Sequence, residues 1–218
     1  MILEQLYKKY RSVGLVGNIG EGKSSLGIAE LIDLKKNNPK VPVYVLGVEP
    51  SLYPILQKNG IIILSSKDDV LDLKISNSVI YIDEFADLFS TQTRDKELEK
   101  LKKFFNRIDH LNDFLLISTG QTGFWNKFMN SLVRAFLVKK IELDELVNGT
   151  ILKRKVMAIT ENTNEYRLDI PKDTFYVVTN DDLVKKMNFK YEENYDSKIE
   201  NINPFLEKSE NKREKKEK

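Results

Sequence analysis

Residues 17–24 read Gly-Asn-Ile-Gly-Glu-Gly-Lys-Ser, the pattern G-x-x-x-x-G-K-[ST], and no other stretch restricts the fold of this chain as much. Its glycines let the backbone curl until successive N–H groups face inward and form a concave anion site. Such a loop works between a strand that delivers the chain and a helix whose N-terminal partial charge faces the same anion. Both flanks are present. Arg11-Ser12-Val13-Gly14-Leu15-Val16 reads as a short buried strand, and residues 25–32 read as a helix, with Leu26, Ala29, Leu31 and Ile32 near helical spacing. In this reading Gly17, Asn18, Gly20, Glu21, Gly22 and Ser25 cradle the phosphates of a nucleotide. Lys23 reaches the β- and γ-phosphates, and the Ser24 hydroxyl is placed to ligate Mg²⁺.

A nucleotide site that hydrolyses also needs an acid for the metal and a group that orients water. Val79-Ile80-Tyr81-Ile82-Asp83-Glu84 supplies both. The apolar run suits a central parallel strand buried on both faces. Asp83 at its C-terminal end holds Mg²⁺ through water, opposite Ser24, and Glu84 polarises the attacking water as general base. The Asp-Glu order favours ATP hydrolysis over simple binding, and the absence of an Asn-Lys-x-Asp segment disfavours guanine. A third strand, Phe114–Ser118, ends in Ser118-Thr119-Gly120-Gln121. Placed beside the strand that carries the glycine loop, it would present Ser118, Thr119 or Gln121 to the γ-phosphate as a sensor.

Composition narrows the remainder. The 218 residues suffice for one α/β domain with a sizeable core and a small appendage. Net charge is only +2 although 31% of residues are charged, so any basic patch for nucleic acid must be local. With no cysteine and a single histidine, His110, disulfides, thiolate metal sites and His-cluster metal chemistry are excluded, and an intracellular setting fits. No apolar run approaches the ~18 residues that span a bilayer, and Lys8, Lys9 and Arg11 interrupt any signal-peptide core.

The strand pattern continues with Val41–Val48, Ile61–Leu64 and Ala135–Val138, with helical patterns between most strands. Strands alternating with helices predict a mostly parallel sheet covered on both faces, with ligands at the C-terminal strand edge, where all three motifs fall. Residues 1–10 form a short amphipathic lead-in. Residues 95–111 are an amphipathic helix whose Leu98, Leu101, Phe104, Phe105, Ile108 and Leu111 share one face. Lys96, Lys100, Lys103 and Arg107 make one basic stripe, read as a solvated face or as a surface for phosphate backbone or a neighbouring subunit. The division along the chain is residues 1–139 for the core, 140–206 for a β-rich extension of the same domain, and 207–218 for a charged, disordered tail without a hydrophobic residue. Within the extension, Lys139–Leu146 and Thr150–Thr160 read as a hairpin around Asn148-Gly149, and Phe175–Val178 as a further extended piece.

Taken together, Gly17–Ser24, Ile80–Glu84 and the run from Arg107 to Gln121 resemble the additional-strand, RecA/FtsK-like P-loop ATPases and, within them, the FtsK–HerA superfamily of DNA motors. Asn130-Ser131-Leu132-Val133-Arg134 before a strand is similar to that family too, as is Tyr195-Asp196-Ser197 to the Tyr-Asp-Thr ending of small viral packaging ATPases. The resemblance covers roughly residues 12–140. It implies a three-layer fold in which one strand separates the glycine-loop strand from the Asp-Glu strand. It also implies a homo-oligomeric ring, in the host cytoplasm or with the virion, that packages double-stranded DNA into a preformed capsid and contacts a capsid or portal-vertex protein. In such rings a neighbouring subunit supplies an arginine to the transferring phosphoryl group. Arg107 is the first candidate and Arg94 the second. The family places glutamine directly after threonine, whereas here Gly120 intervenes, so Thr119 and Gln121 both stay open as the sensor.

Other readings share parts of this pattern. A Zot-like assembly ATPase of filamentous phage has the same core but usually carries a membrane span. An AAA+ remodeller would need a helical lid with its own arginine. A nucleotide-switched binding or assembly module with slow hydrolysis would not need a base at Glu84.

Overall fold

The computed structural model describes residues 2–74, 76–89, 95–119, 133–141, 151–163, 170–179 and 184–189. Among the described residues eight strands form, most of them from short apolar runs: β1 Ser12–Val16, β2 Val43–Leu46, β3 Ile62–Ile63, β4 Val79–Ile82, β5 Phe114–Thr119, β6 Ala135–Val138, β7 Thr174–Thr179 and the more polar β8 Val184–Asn188. The helices are α1 Ile2–Lys9, α2 Lys23–Asn37, α3 Tyr53–Lys58, α4 Lys67–Asp72, α5 Phe85–Leu88, α6 Asp95–Leu111 and α7 Ile151–Thr163, with a 3₁₀ turn at Pro50–Leu52. One sheet holds all eight strands in the order β3-β2-β4-β5-β1-β6-β7-β8. Pairing is parallel from β3 through β6, and antiparallel for β6 with β7 and β7 with β8. This is the expected mostly parallel α/β sheet.

Alternation along each strand divides the core into two layers. On β4, Val79 and Tyr81 join the cluster that holds Leu26, Ile28 and Leu31 of α2 and Leu3 and Leu6 of α1. Ile80 and Ile82 join the opposite cluster, with Leu101, Phe104, Phe105 and Ile108 of α6 and Val156 and Ile159 of α7. A sheet between two helical layers results, and every residue of β4 is buried. The α1 helix is fastened to α2 by a buried bond in which Leu3 N donates to Glu30 Oε2 at 2.8 Å.

The central strand order has a direct consequence for the site. β5 lies between β1 and β4, the inserted strand that the resemblance implies. The registers Val16↔Thr119 and Ile82↔Ile117 bring the C-terminal ends of all three strands to one edge of the sheet. The glycine loop, Asp83-Glu84 and Ser118-Thr119 therefore leave the sheet side by side.

One expectation is overturned. Residues 151–163 form helix α7 rather than the second strand of a hairpin. Ile151, Val156, Ile159 and Thr160 favour strands by β-branching. Yet Lys155, Val156, Ile159 and Thr160 are the buried members, while Arg154 and Met157 face outward, a helical stripe rather than an alternation. Among the described residues the strands of the extension are β7, which contains the expected Phe175–Val178, and β8, and both prolong the central sheet. Two buried lysines fasten β7 at its ends. Lys139 Nζ donates to the carbonyls of Lys172 and Thr174, and Lys155 Nζ donates to that of Thr179 at 2.7 Å. The 207–218 tail and the Tyr195-Asp196-Ser197 segment lie outside the described residues.

Candidate functional site

The glycine loop leaves β1 at Val16 and is braced by β6. Lys139 N donates to Val16 O, and Asn18 N donates to Lys140 O, both at 2.8 Å. Gly22, at φ 78° and ψ 27°, turns the loop into α2 as its N-cap, a conformation that disfavours any residue with a Cβ. No side chain caps the start of α2, and its first turn carries no acidic residue. That combination suits an anionic ligand at the helix start. Lys23 is buried, and its Nζ donates to Asn18 O at 2.9 Å, folding the ammonium across the loop. Ser24 is half-buried and Ser25 fully buried. Asn18 Oδ1 is a buried oxygen without a hydrogen-bond partner in the structure, and a Cβ built on Gly20 would meet nothing within 4 Å. The uncapped start of α2 and the open side of the loop at Gly20 fit a phosphate group that would fill the concavity.

Asp83 follows β4 and is 4% exposed. Its Oδ1 accepts from the Tyr81 hydroxyl at 2.8 Å and from Glu84 N at 3.2 Å. Burial, followed by the Asp83 charge, pushes the Tyr81 hydroxyl well above its ordinary range, so it remains a protonated donor. The backbone of Asp83 is tied to β2 through Asp83 N and Leu46 O at 2.8 Å. Glu84 adopts φ 44° and ψ 49°, the left-handed region, and starts α5. A glutamate there costs about 1–2 kcal/mol, and such outliers cluster at functional sites. The conformation turns the chain sharply after Asp83, with Glu84 half-buried. A hard cation is met by oxygen donors, and the Ser24 hydroxyl with the Asp83 carboxylate is a donor set of that kind.

Ser118 belongs to the same edge. It pairs with Leu15, is fully buried, and shares with Leu116 the face toward α2. Its Oγ lies close enough to the Tyr81 hydroxyl to act on its ionisation, yet makes no hydrogen bond of ordinary geometry. The backbone of Thr119 ends β5 opposite Val16, one residue before the glycine loop. Gln121 and Arg94 lie outside the described residues. Arg107 does not join its own chain's loop. It sits near the C-terminus of α6, where Nη2 donates to Leu71 O at 2.9 Å, the guanidinium stacks 5.5 Å from the Phe104 ring, and its charge acts on Asp113 ahead of β5. That is the sheet edge opposite the glycine loop. On the basic stripe, Lys100 and Lys103 are exposed, and Lys100 pairs with Asp68 at 3.5 Å, a solvated contact of little energetic weight.

Two residues of this site were not legible as motifs. Tyr81 is the sole polar side chain in an otherwise aliphatic strand, and a period of two puts its hydroxyl on the side of Asp83. Gly27 interrupts the apolar pattern of α2 at the point where Tyr81 packs.

Among the described residues no helix is long and apolar enough to cross a membrane. No protein-family model and no curated protein matches the sequence. Solved structures do match it. The genome-packaging NTPase B204 of Sulfolobus turreted icosahedral virus 2, solved with ATP-gammaS, AMPPCP, AMP or sulfate, is 16% identical. In the sulfate complex the TM-score is 0.60, with 82% of this chain and 96% of that chain covered. The type VII secretion ATPase EccC of Thermomonospora curvata is 13% identical at a TM-score of 0.57, covering 86% of this chain and 24% of that one. EssC of Geobacillus thermodenitrificans is 10% identical at 0.53, covering 82% and 39%. The likeness expected to small viral packaging ATPases thus holds at the level of the fold, and the three-layer P-loop NTPase architecture is that of this chain.

Proposed function

We propose that this protein is a magnesium-dependent ATPase that moves double-stranded DNA, packaging a viral genome into a preformed capsid as a homo-oligomeric ring. The observation that carries the ATPase reading is the shared sheet edge, where the glycine loop after β1 and the pair Asp83-Glu84 after β4 flank the end of β5 on its two sides. The loop backbone and Lys23 bind the phosphates, and Lys23 exchanges its bond to Asn18 O for phosphate oxygens. Ser24 and Asp83 hold Mg²⁺, Asp83 through water; the cation offsets charge on the β- and γ-phosphates. Glu84 accepts a proton from the attacking water. Ser118, Thr119 and Gln121 flank the γ-phosphate position, and Thr119 or Gln121 acts as sensor. A neighbouring subunit contributes an arginine, Arg94 or Arg107.

The DNA-packaging part rests on the fold shared with B204, which matches nearly the full length of that chain. The deciding experiment is ATP hydrolysis by the purified protein with and without double-stranded DNA, with Glu84→Gln as control. DNA-stimulated turnover that disappears in Glu84→Gln supports the motor. DNA-indifferent hydrolysis abolished by the same substitution keeps the ATPase and refutes the DNA motor. Hydrolysis that survives Glu84→Gln refutes the assignment of the base.

A further inference from the structure

We propose that Tyr81 is a positioning residue for the metal side of this site, holding the Asp83 carboxylate in a single orientation through its hydroxyl. The inference rests on the reading of Asp83 as the magnesium-side acid and adds the residue that makes it competent. A carboxylate at a strand end has a rotatable side chain, and two bonds fix this one. The Tyr81 hydroxyl and Glu84 N both donate to Oδ1, so Oδ2 is the oxygen not committed to them. The tyrosine cannot easily move. It is fully buried in β4, two residues before Asp83 and on the same face of the sheet.

The helix that begins at the glycine loop is shaped around this hydroxyl. A Cβ built on Gly27 would lie 2.8 Å from both Cζ and the hydroxyl oxygen of Tyr81. Glycine in the second turn of α2 has a helix-propensity cost of about 1 kcal/mol against alanine, and here it opens the space that the phenol occupies. Phosphate loop, α2, Tyr81 and Asp83 are thereby packed as one unit. The Ser118 Oγ on the same face makes no hydrogen bond of its own, so the single proton of the Tyr81 hydroxyl is committed to Asp83. Groups that orient a metal ligand commonly set metal affinity by about 10–100-fold.

The test is calorimetric titration of ADP into full-length protein, with Mg²⁺ in excess and again with EDTA. Tyr81→Phe keeps the ring and removes only the hydroxyl. The expected result is an unchanged affinity in EDTA and a loss of roughly 10-fold in the gain that Mg²⁺ provides. Gly27→Ala, which drives a methyl into the phenol, should reproduce the deficit. Asp83→Asn serves as the reference. A deficit in Asp83→Asn with wild-type behaviour in Tyr81→Phe overturns the role of Tyr81 and leaves the site reading intact. Wild-type magnesium dependence in Asp83→Asn overturns both. An equal loss with and without Mg²⁺ in Tyr81→Phe means general loosening of the core and likewise refutes the positioning role.

Discussion

Gly47 makes the sharpest quantitative test of how the site is braced. It follows β2 at φ +79°, and a Cβ built there would lie 2.4 Å from the carbonyl oxygen of Asp83 and 3.1 Å from Leu88 Cδ1. Gly60 has a similar φ, +71°, but its nearest neighbour would be Lys35 Cε at 3.4 Å, an ordinary contact with a flexible chain. Alanine at either position incurs the left-handed backbone cost of about 1–2 kcal/mol. At Gly47 it also meets a carbonyl that cannot swing away, because Asp83 N is bound to Leu46 O at 2.8 Å and the next residue is already in the left-handed region. Overpacking of this kind adds about 1–3 kcal/mol. Gly47→Ala should therefore lower unfolding free energy by about 2–5 kcal/mol and Gly60→Ala by about 1–2, in urea denaturation with unchanged m-values. Hydrolysis separates them further. A shift of Asp83-Glu84 of up to ~1 Å should lower turnover by as much as ~100-fold in Gly47→Ala, whereas Gly60→Ala, away from the site, should turn over as wild type. Equal stability costs in the two variants, or full turnover in Gly47→Ala, would refute the claim that this carbonyl contact holds Asp83-Glu84 in place.

Three further outcomes are expected. Asp113 is buried while accepting from Ser78 N at 2.9 Å and Ser78 Oγ at 2.8 Å. Burial raises its carboxyl above the ordinary value of 3.8, against the lowering effect of those bonds. The native state therefore keeps this proton to higher pH than the unfolded chain. Its contribution to stability is greatest below pH 3.8 and is lost as pH rises through the raised value. In urea denaturation across that range, the stability of wild type relative to Asp113→Asn should fall with rising pH; a rise would contradict the assignment. Arg107→Ala removes the bond to Leu71 O and the stacking on Phe104, so thermal unfolding should show a loss of about 1–2 kcal/mol with MgADP affinity unchanged. If α6 touches DNA phosphates, Lys100→Glu combined with Lys103→Glu should abolish DNA stimulation and leave DNA-free hydrolysis intact, and unchanged stimulation removes α6 from the DNA path.

The parts legible in the sequence are those whose chemistry is contiguous. Gly17–Ser24 needs its glycines and lysine in one loop, and Val79–Glu84 needs its acids at the end of one strand, so each was visible without a partner. The α6 helix was visible at both ends, Asp95 and Leu111, because its apolar positions keep the helical period over seventeen residues. The hairpin expected at 139–160 failed because Asn148-Gly149 is a strong local turn signal and Ile, Val and Thr favour strands in isolation. The burial of Lys155, Val156, Ile159 and Thr160 against the sheet decided in favour of α7. What could not be read at all were contacts between residues far apart in the chain: Gly27 with Tyr81, Gly47 with Asp83, and Lys140 with Asn18. Each is a backbone or hydroxyl fit that leaves no periodicity and no motif.

The inserted strand explains why those distant contacts matter. With β5 between β1 and β4, the strand that leads into the glycine loop and the strand that leads into Asp83-Glu84 are two strand spacings apart, about 9–10 Å. On the proposed reading that gap receives a terminal phosphoryl group and the attacking water, and its floor is the end of β5. On the proposed reading, the end of β5, with Ser118 and Thr119, is where loss of the γ-phosphate would be felt. The same gap means that no hydrogen bond of β1 with β4 fixes the two halves of the site relative to each other. Their spacing is carried instead by β5 and by packing through α2, where Gly27 receives Tyr81. Substitutions at these two places should therefore alter the distance between Lys23 and Glu84 while leaving both motifs chemically complete, and should lower turnover far more than they lower nucleotide affinity in the absence of Mg²⁺.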